Sequence, residues 1–164
     1  MGVRKAMGNM ASSLSTWGLR HLAHRPAANM PGKIALKIDP RIIAESMDKI
    51  TEGSIVVVGT NGKTTITNMI ADALERQGKS IACNRTGANL AYGVATTLLQ
   101  TKGTVEWGVF ESDELWLAHT LPQVQADYVL LLNLFRDQLD RCGEIDRVQD
   151  AIATALEQYP NTTL

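Results

Sequence analysis

The sequence predicts an α/β fold, a mainly parallel sheet flanked by helices and preceded by a helical leader, and three observations carry the prediction. From Ser54 onward, short apolar runs alternate with helix-length segments. The runs lack the polar alternation of a strand with one wet face, as expected for strands buried on both sides. One of them, Val56-Val57-Val58, turns through glycines directly into a helical pattern. Such βα alternation is satisfied by parallel strands with helices packed on both faces.

The elements follow in order. Val3, Met7, Met10, Leu14 and Trp17 recur at spacings of four and three, one face of a helix, although Gly2, Gly8 and Gly18 weaken it. Pro26 and Pro31-Gly32 read as a connector. Asp39 then reads as an N-cap and Pro40 as the first residue of a helix to about residue 50, ended by Thr51-Glu52-Gly53. Strands are predicted at 55–58, 80–83, 105–110 and 128–132, with helices at 63–77, 91–100, 114–121 and 145–158. Residues 161–164 read as the approach to another strand. The expected organisation is a basic leader and connector over 1–38 and one sheet domain over 39–164 that is incomplete at its end.

Composition narrows the function classes. With 164 residues and 45% hydrophobic content the chain can bury one core, and two complete domains are not expected. A net charge of -1 gives no global attraction to nucleic acid, whose binding rests on phosphate neutralisation. The charge is nevertheless uneven, +6 over residues 1–41 and -7 over the rest, so the leader can meet an anionic surface. Cys83 and Cys142 match no C-x-x-C spacing, which leaves no redox pair or cysteine zinc site to read and favours a reducing, cytoplasmic setting. No run approaches the roughly 20 apolar residues of a spanning helix. His21, His24 and His119 lack a nearby third donor and are read as solvated or packing residues.

The strongest chemistry lies in Gly59-Thr60-Asn61-Gly62-Lys63-Thr64-Thr65, between a buried strand and a helix. Gly59 and Gly62 permit close backbone approach and unusual dihedrals. The loop amides and the helix N-terminus point at anionic oxygens, and Lys63 adds a positive charge. Thr64 offers a hydroxyl to Mg²⁺. The strict phosphate-loop pattern would require glycine at position 57, where Val57 stands, so this is a shorter variant. The competing reading is a glycine turn that merely caps a helix. A phosphate loop specifies a nucleoside triphosphate and leaves the reaction open.

Three further polar blocks follow strands: Asn84-Arg85-Thr86-Gly87-Ala88-Asn89, Glu111-Ser112-Asp113-Glu114, and Asn133-Leu134-Phe135-Arg136-Asp137-Gln138-Leu139-Asp140-Arg141. All lie at C-terminal strand ends, where open α/β sheets bind ligands. Glu111 is the candidate second Mg²⁺ ligand beside Thr64, since a strand-end carboxylate supplies the hard oxygen this cation prefers; the alternative is a carboxylate that caps the next helix. Asn84, Arg85 and Asn89 are candidates for the nucleotide phosphates, with Arg85 neutralising a transferring phosphoryl group. Loop-structuring asparagines and a surface arginine remain the alternative. Asn133, Arg136, Asp137 and Asp140 are likewise candidate nucleotide contacts, against an N-cap and a surface ion pair.

The phosphate loop and these blocks, together with Pro31-Gly32-Lys33-Ile34-Ala35-Leu36-Lys37-Ile38-Asp39-Pro40, resemble the Mur ligase and folylpolyglutamate synthase superfamily, and within it the MurT branch, from about residue 31 onward. The resemblance implies the Mur ligase central-domain fold, ATP and Mg²⁺, and amidation of the D-glutamate of lipid II through an acyl phosphate. It further implies ammonia from a GatD-like glutaminase partner and a place at the inner face of the membrane. It also implies a zinc ribbon and a C-terminal domain that these residues do not include, so the chain alone is expected to bind ATP without completing amidation. Classical members place a metal-binding histidine where Gln138 stands and a carbamylated lysine downstream, whereas no lysine follows Lys102. One Mg²⁺ is therefore expected. An amino-acid-adding ligase and a non-catalytic fragment that docks a partner are the alternatives.

Overall fold

The computed structural model describes residues 29–134 and 145–164. The leader helix, His21 and His24, Cys142, and Arg136, Asp137, Gln138 and Asp140 lie outside the described residues.

Four parallel strands form one sheet in the order β2-β3-β1-β4, with β1 at Ile50–Val58, β2 at Ile81–Cys83, β3 at Val105–Glu111 and β4 at Tyr128–Leu131. The helices are α1 (Met30–Ile38), α2 (Ile42–Ser46), α3 (Lys63–Arg76), α4 (Ala91–Gln100), α5 (Leu117–Val124) and α6 (Ile145–Glu157), with a 3₁₀ turn at Met47–Lys49. The predicted α/β class and strand sequence are those observed.

Topology fixes which face each helix covers. The chain leaves β1, passes over β3 to reach β2, then returns to β3 and crosses β1 to reach β4. Because parallel crossovers are right-handed, reversing the direction of travel sends α3 to one face and α4 and α5 to the other. Burial agrees. Val56, Val58, Phe110 and Val129 share one apolar cluster with Ala91, Val94, Ala95 and Leu98 of α4, Leu117, Leu121 and Val124 of α5, and Val148, Ile152 and Ala155 of α6. Val57, alternating to the other side of β1, is fully buried but outside that cluster. Thr163 forms an isolated parallel bridge to Tyr128, with Val129 N–H donating to Thr163 O at 2.8 Å, which sets this residue beside β4.

The region before β1 departs from expectation. Pro31-Gly32 opens α1 instead of forming a connector: proline at a first-turn position loses no helical hydrogen bond. Gly32 lets α1 and α4 touch, since its N–H donates to Thr96 Oγ1 at 2.9 Å and a Cβ there would lie 2.0 Å from Tyr92 O. Asp39 is the C-cap of α1, and its Oδ1 accepts from Arg41 N–H in the turn to α2, so the single helix expected over 40–50 is a short helix and a 3₁₀ turn. The residues expected to end it, Thr51-Glu52-Gly53, belong to β1. Ala35 of α1 is fully buried in the shared core, so the boundary expected after residue 38 separates two helices of one packed unit. Among the described residues no helix is long and apolar enough to cross a membrane.

Candidate functional site

β1 ends at the switch point of the sheet, where the chain continues toward β3 on one side and β4 on the other, and its next residues form the loop 59–62. Gly59 (φ 140°) and Gly62 (φ 87°) both take conformations that side chains resist. Gly59 is further confined, because a Cβ would sit 2.9 Å from Asn133 O. Gly62 is the N-cap of α3, whose first turn follows at once with Lys63, Thr64 and Thr65. The loop is held from the segment just after β4: Thr60 N–H donates to Asn133 O, Asn61 N–H to Asn133 Oδ1, and Asn133 Nδ2 back to Asn61 O, at 2.9 to 3.0 Å.

A hollow of about 300 Å³ opens over this loop, lined by Thr60, Asn61, Gly62, Lys63, Thr64, Thr65, Gly87, Asn89 and Glu111. The loop, α3, the segment after β2 and the end of β3 therefore converge as the sequence predicts. Gly87 (φ 77°) was not singled out as a site residue, yet its bare backbone lies against the loop. The position its Cβ would take is 3.3 Å from Thr64 Oγ1 and 3.8 Å from Glu111 Oε1. A side chain at 87 would fill the space between the two candidate metal ligands.

Glu111 is 1% exposed, and its Oε2 is buried without a hydrogen-bond partner. It does not cap the next helix, whose N-cap is Trp116 without a side-chain bond; Asp113 instead shapes the turn before it, its Oδ1 accepting from Leu115 N–H and its carbonyl from Trp116 N–H. That turn delays α5 to Leu117 instead of the expected residue 114. Buried anionic oxygens require a donor or a cation. A buried carboxylate with one unpartnered oxygen, lining the same hollow as a helix-terminal threonine, fits Mg²⁺, which takes few protein ligands and fills the rest of its shell with water and phosphate. Thr64 and Glu111 would hold it, and bound there it would offset phosphate charge. Among the described residues no group of three His, Cys, Asp or Glu side chains could hold a metal on its own. His119 is exposed, its ring 5.2 Å from that of Trp116.

Lys63 is buried at the floor. Its Nζ donates to Gly59 O and Thr60 O and lies 3.6 Å from Glu114 Oε2. Glu114 is itself 3% exposed with that oxygen otherwise unpartnered. The sequence reading places it in the polar block after β3 and at a helix start but gives it no role at the site; the signal available was a second glutamate three residues after Glu111 in a block after a buried strand.

Three candidates make contacts other than those expected. Asn84 does not offer its amide to phosphate: Oδ1 accepts from Glu111 N–H at 2.9 Å, and Nδ2 donates to Ala88 O and Glu111 O, which uses both of its hydrogens. It braces the end of β3 against the segment after β2. The Arg85 guanidinium is not among the groups lining the hollow. It pairs with Asp72 at 2.6 Å and Glu75 at 2.8 Å on α3, partners that raise its already high pKa. Asn133 spends its amide on Asn61. Of Asn84, Asn89 and Asn133, Asn89 alone lines the hollow.

Residues 57–163 match the Mur ligase middle domain family. The chain is 34% identical over its whole length to the MurT subunit of lipid II isoglutaminyl synthase from Streptococcus pneumoniae, covering 36% of that protein. It is 36% identical over 78% of its length to the Staphylococcus aureus MurT, covering 29%. The chain thus spans about a third of the length of these relatives. Among solved structures, MurF of Acinetobacter baumannii superposes with a TM-score of 0.64 at 22% identity, over 77% of this chain and 28% of that one. MurF of Thermotoga maritima, solved with ADP, gives 0.63 at 21%, over 80% and 30%. A glycine loop at the head of β1, a carboxylate at the end of β3 and the matched residues together mean that this chain belongs to the Mur ligase family and carries its middle domain.

Proposed function

We propose that residues 59–65 bind ATP with Mg²⁺ and that the protein serves the amidation of the D-glutamate of lipid II in peptidoglycan synthesis. The observation that carries the nucleotide reading is the approach of Thr64 Oγ1 and Glu111 Oε1 to the bare backbone of Gly87, with the other Glu111 oxygen buried and unpartnered, beside the left-handed loop and the buried ammonium of Lys63. Loop amides and Lys63 hold the phosphates, and the Thr64 and Glu111 oxygens orient the cation, which is most of what phosphoryl transfer asks of a protein. In this reading the γ-phosphoryl group passes to the carboxylate to give an acyl phosphate and ADP. Ammonia from a GatD-like glutaminase subunit then displaces phosphate. The 34% and 36% identity to MurT subunits supports the substrate and partner.

Weaker similarity to UDP-N-acetylmuramate–L-alanine ligases, 33% over 65% of the chain in the Mesorhizobium japonicum protein, keeps an amino-acid-adding ligase as the second reading. One assay separates the two. The polypeptide extended to the length of its relatives is incubated with ATP, Mg²⁺, a glutaminase subunit, glutamine, lipid II, UDP-N-acetylmuramate and L-alanine, and the products are analysed by mass spectrometry. Isoglutamine in the stem peptide, lost in Glu111→Gln, is expected; ligation of L-alanine to UDP-N-acetylmuramate with no amidation would overturn it.

A further inference from the structure

Lys63 and Glu114 form a buried charge pair that phosphate binding alone does not explain. The ammonium donates to two carbonyls of its own loop, Gly59 O and Thr60 O, and its remaining neighbour is Glu114 Oε2 at 3.6 Å. That separation is an ion pair without a hydrogen bond, and Glu114 Oε2 has no donor. Glu111, which lines the hollow, adds a second buried carboxylate with an orphaned oxygen, while Glu114 lies behind the lining and meets the hollow through Lys63. The phosphate site therefore contains one buried cation and two buried anions. It is set against a bare polyanion and toward one that brings its own metal.

We propose that Glu114 is a positioning residue which neutralises Lys63 between turnovers and thereby makes the site discriminate the magnesium complex of a nucleotide from the free nucleotide. The proposal rests on the nucleotide reading of this hollow and deepens it. Two effects act in the same direction. A phosphate must compete with the Glu114 carboxylate for the ammonium, and it must approach that carboxylate's charge in a buried, poorly screened setting. Free ADP carries about three negative charges and its magnesium complex about one, so Coulomb repulsion from Glu114 falls roughly threefold more heavily on the free form. Glu111 contributes repulsion too, but a bound cation turns it into a ligand, whereas Glu114 keeps its charge on Lys63.

The test uses residues 1–164 and ADP, whose affinity is measured by calorimetry with excess Mg²⁺ and again with EDTA, in the wild type, Glu114→Gln and Glu114→Ala, each checked for folding by circular dichroism. The wild type is expected to bind MgADP much more tightly than ADP. Glu114→Gln is expected to bind metal-free ADP about tenfold tighter while MgADP affinity changes by less than about threefold, so the ratio of the two narrows. An unchanged ratio, or equal losses for both forms, overturns the role of Glu114 while leaving the nucleotide site intact. A wild type that binds neither form overturns the nucleotide reading itself. If Glu114→Gln does not fold, Glu114→Ala must show the same narrowing. Failure of both to fold makes Glu114 a structural carboxylate and the proposal falls.

Discussion

Asn84 shows how much one buried amide can organise. Its three hydrogen bonds tie the carbonyl of Ala88 to both backbone groups of Glu111, so the height of the candidate metal ligand depends on it. Asn84→Asp would replace a double donor with an acceptor facing two carbonyls, and an expected loss of about 2–4 kcal/mol follows from stranded buried acceptors; urea denaturation measures it. Glu106 gives a pH-dependent case at the opposite end of the strands. Hydrogen bonds from Ser80 N–H, Lys79 and the Ser80 hydroxyl hold its carboxyl down to about 2. A carboxylate depressed on folding stabilises the protein above its unfolded value near 4.5 and loses that contribution as pH falls toward about 2. Thermal melts of Glu106→Gln and the wild type should therefore differ at pH 6 (roughly neutral solution) and converge toward about pH 2. These roles were not legible in the sequence. An asparagine after a strand reads equally as a ligand or as a brace, and only the positions of Ala88 and Glu111 decide between them.

At the scale of elements, periodicity located the strands and the helices that follow β1 and β2 because those segments repeat cleanly and end at turn residues. It failed where a tertiary contact outranked local preference. Pro31-Gly32 reads as a breaker, yet α1 forms through it because the missing Cβ of Gly32 seats the helix on Tyr92 and Thr96 of α4. Gly32→Ala should therefore destabilise the domain by about 1–3 kcal/mol through overpacking, although alanine favours helix intrinsically. A melting temperature equal to or above that of the wild type would contradict that packing. Lys49 adds a link no pattern announces, its ammonium donating to Leu98 O and Thr101 O at the C-terminal end of α4. Arg85 is the converse case. A basic residue after β2 reads as a phosphate ligand, but Asp72 and Glu75, one helical turn apart on α3, claim its guanidinium.

For the whole molecule, one site draws on segments far apart in sequence, and parallel topology is what gathers them: the ends of β1 and β3, the segment after β2 and the start of α3 meet at one edge of the sheet. That convergence was legible, since βα alternation sends every polar block after a strand to the same side. Turnover asks for more than this edge, because the acceptor carboxylate must be held in line with the γ-phosphate. On the proposed function, a polypeptide of the relatives' full length is expected to form amidated lipid II with ATP, Mg²⁺, glutamine and a glutaminase; no such product would refute the amidation reading. The most direct test of the central claim is calorimetric titration of MgATP into residues 1–164 and into a folded Lys63→Ala variant. Saturable binding by the wild type that Lys63→Ala weakens at least tenfold is the predicted result, and equal affinity in the two would contradict the phosphate-loop assignment.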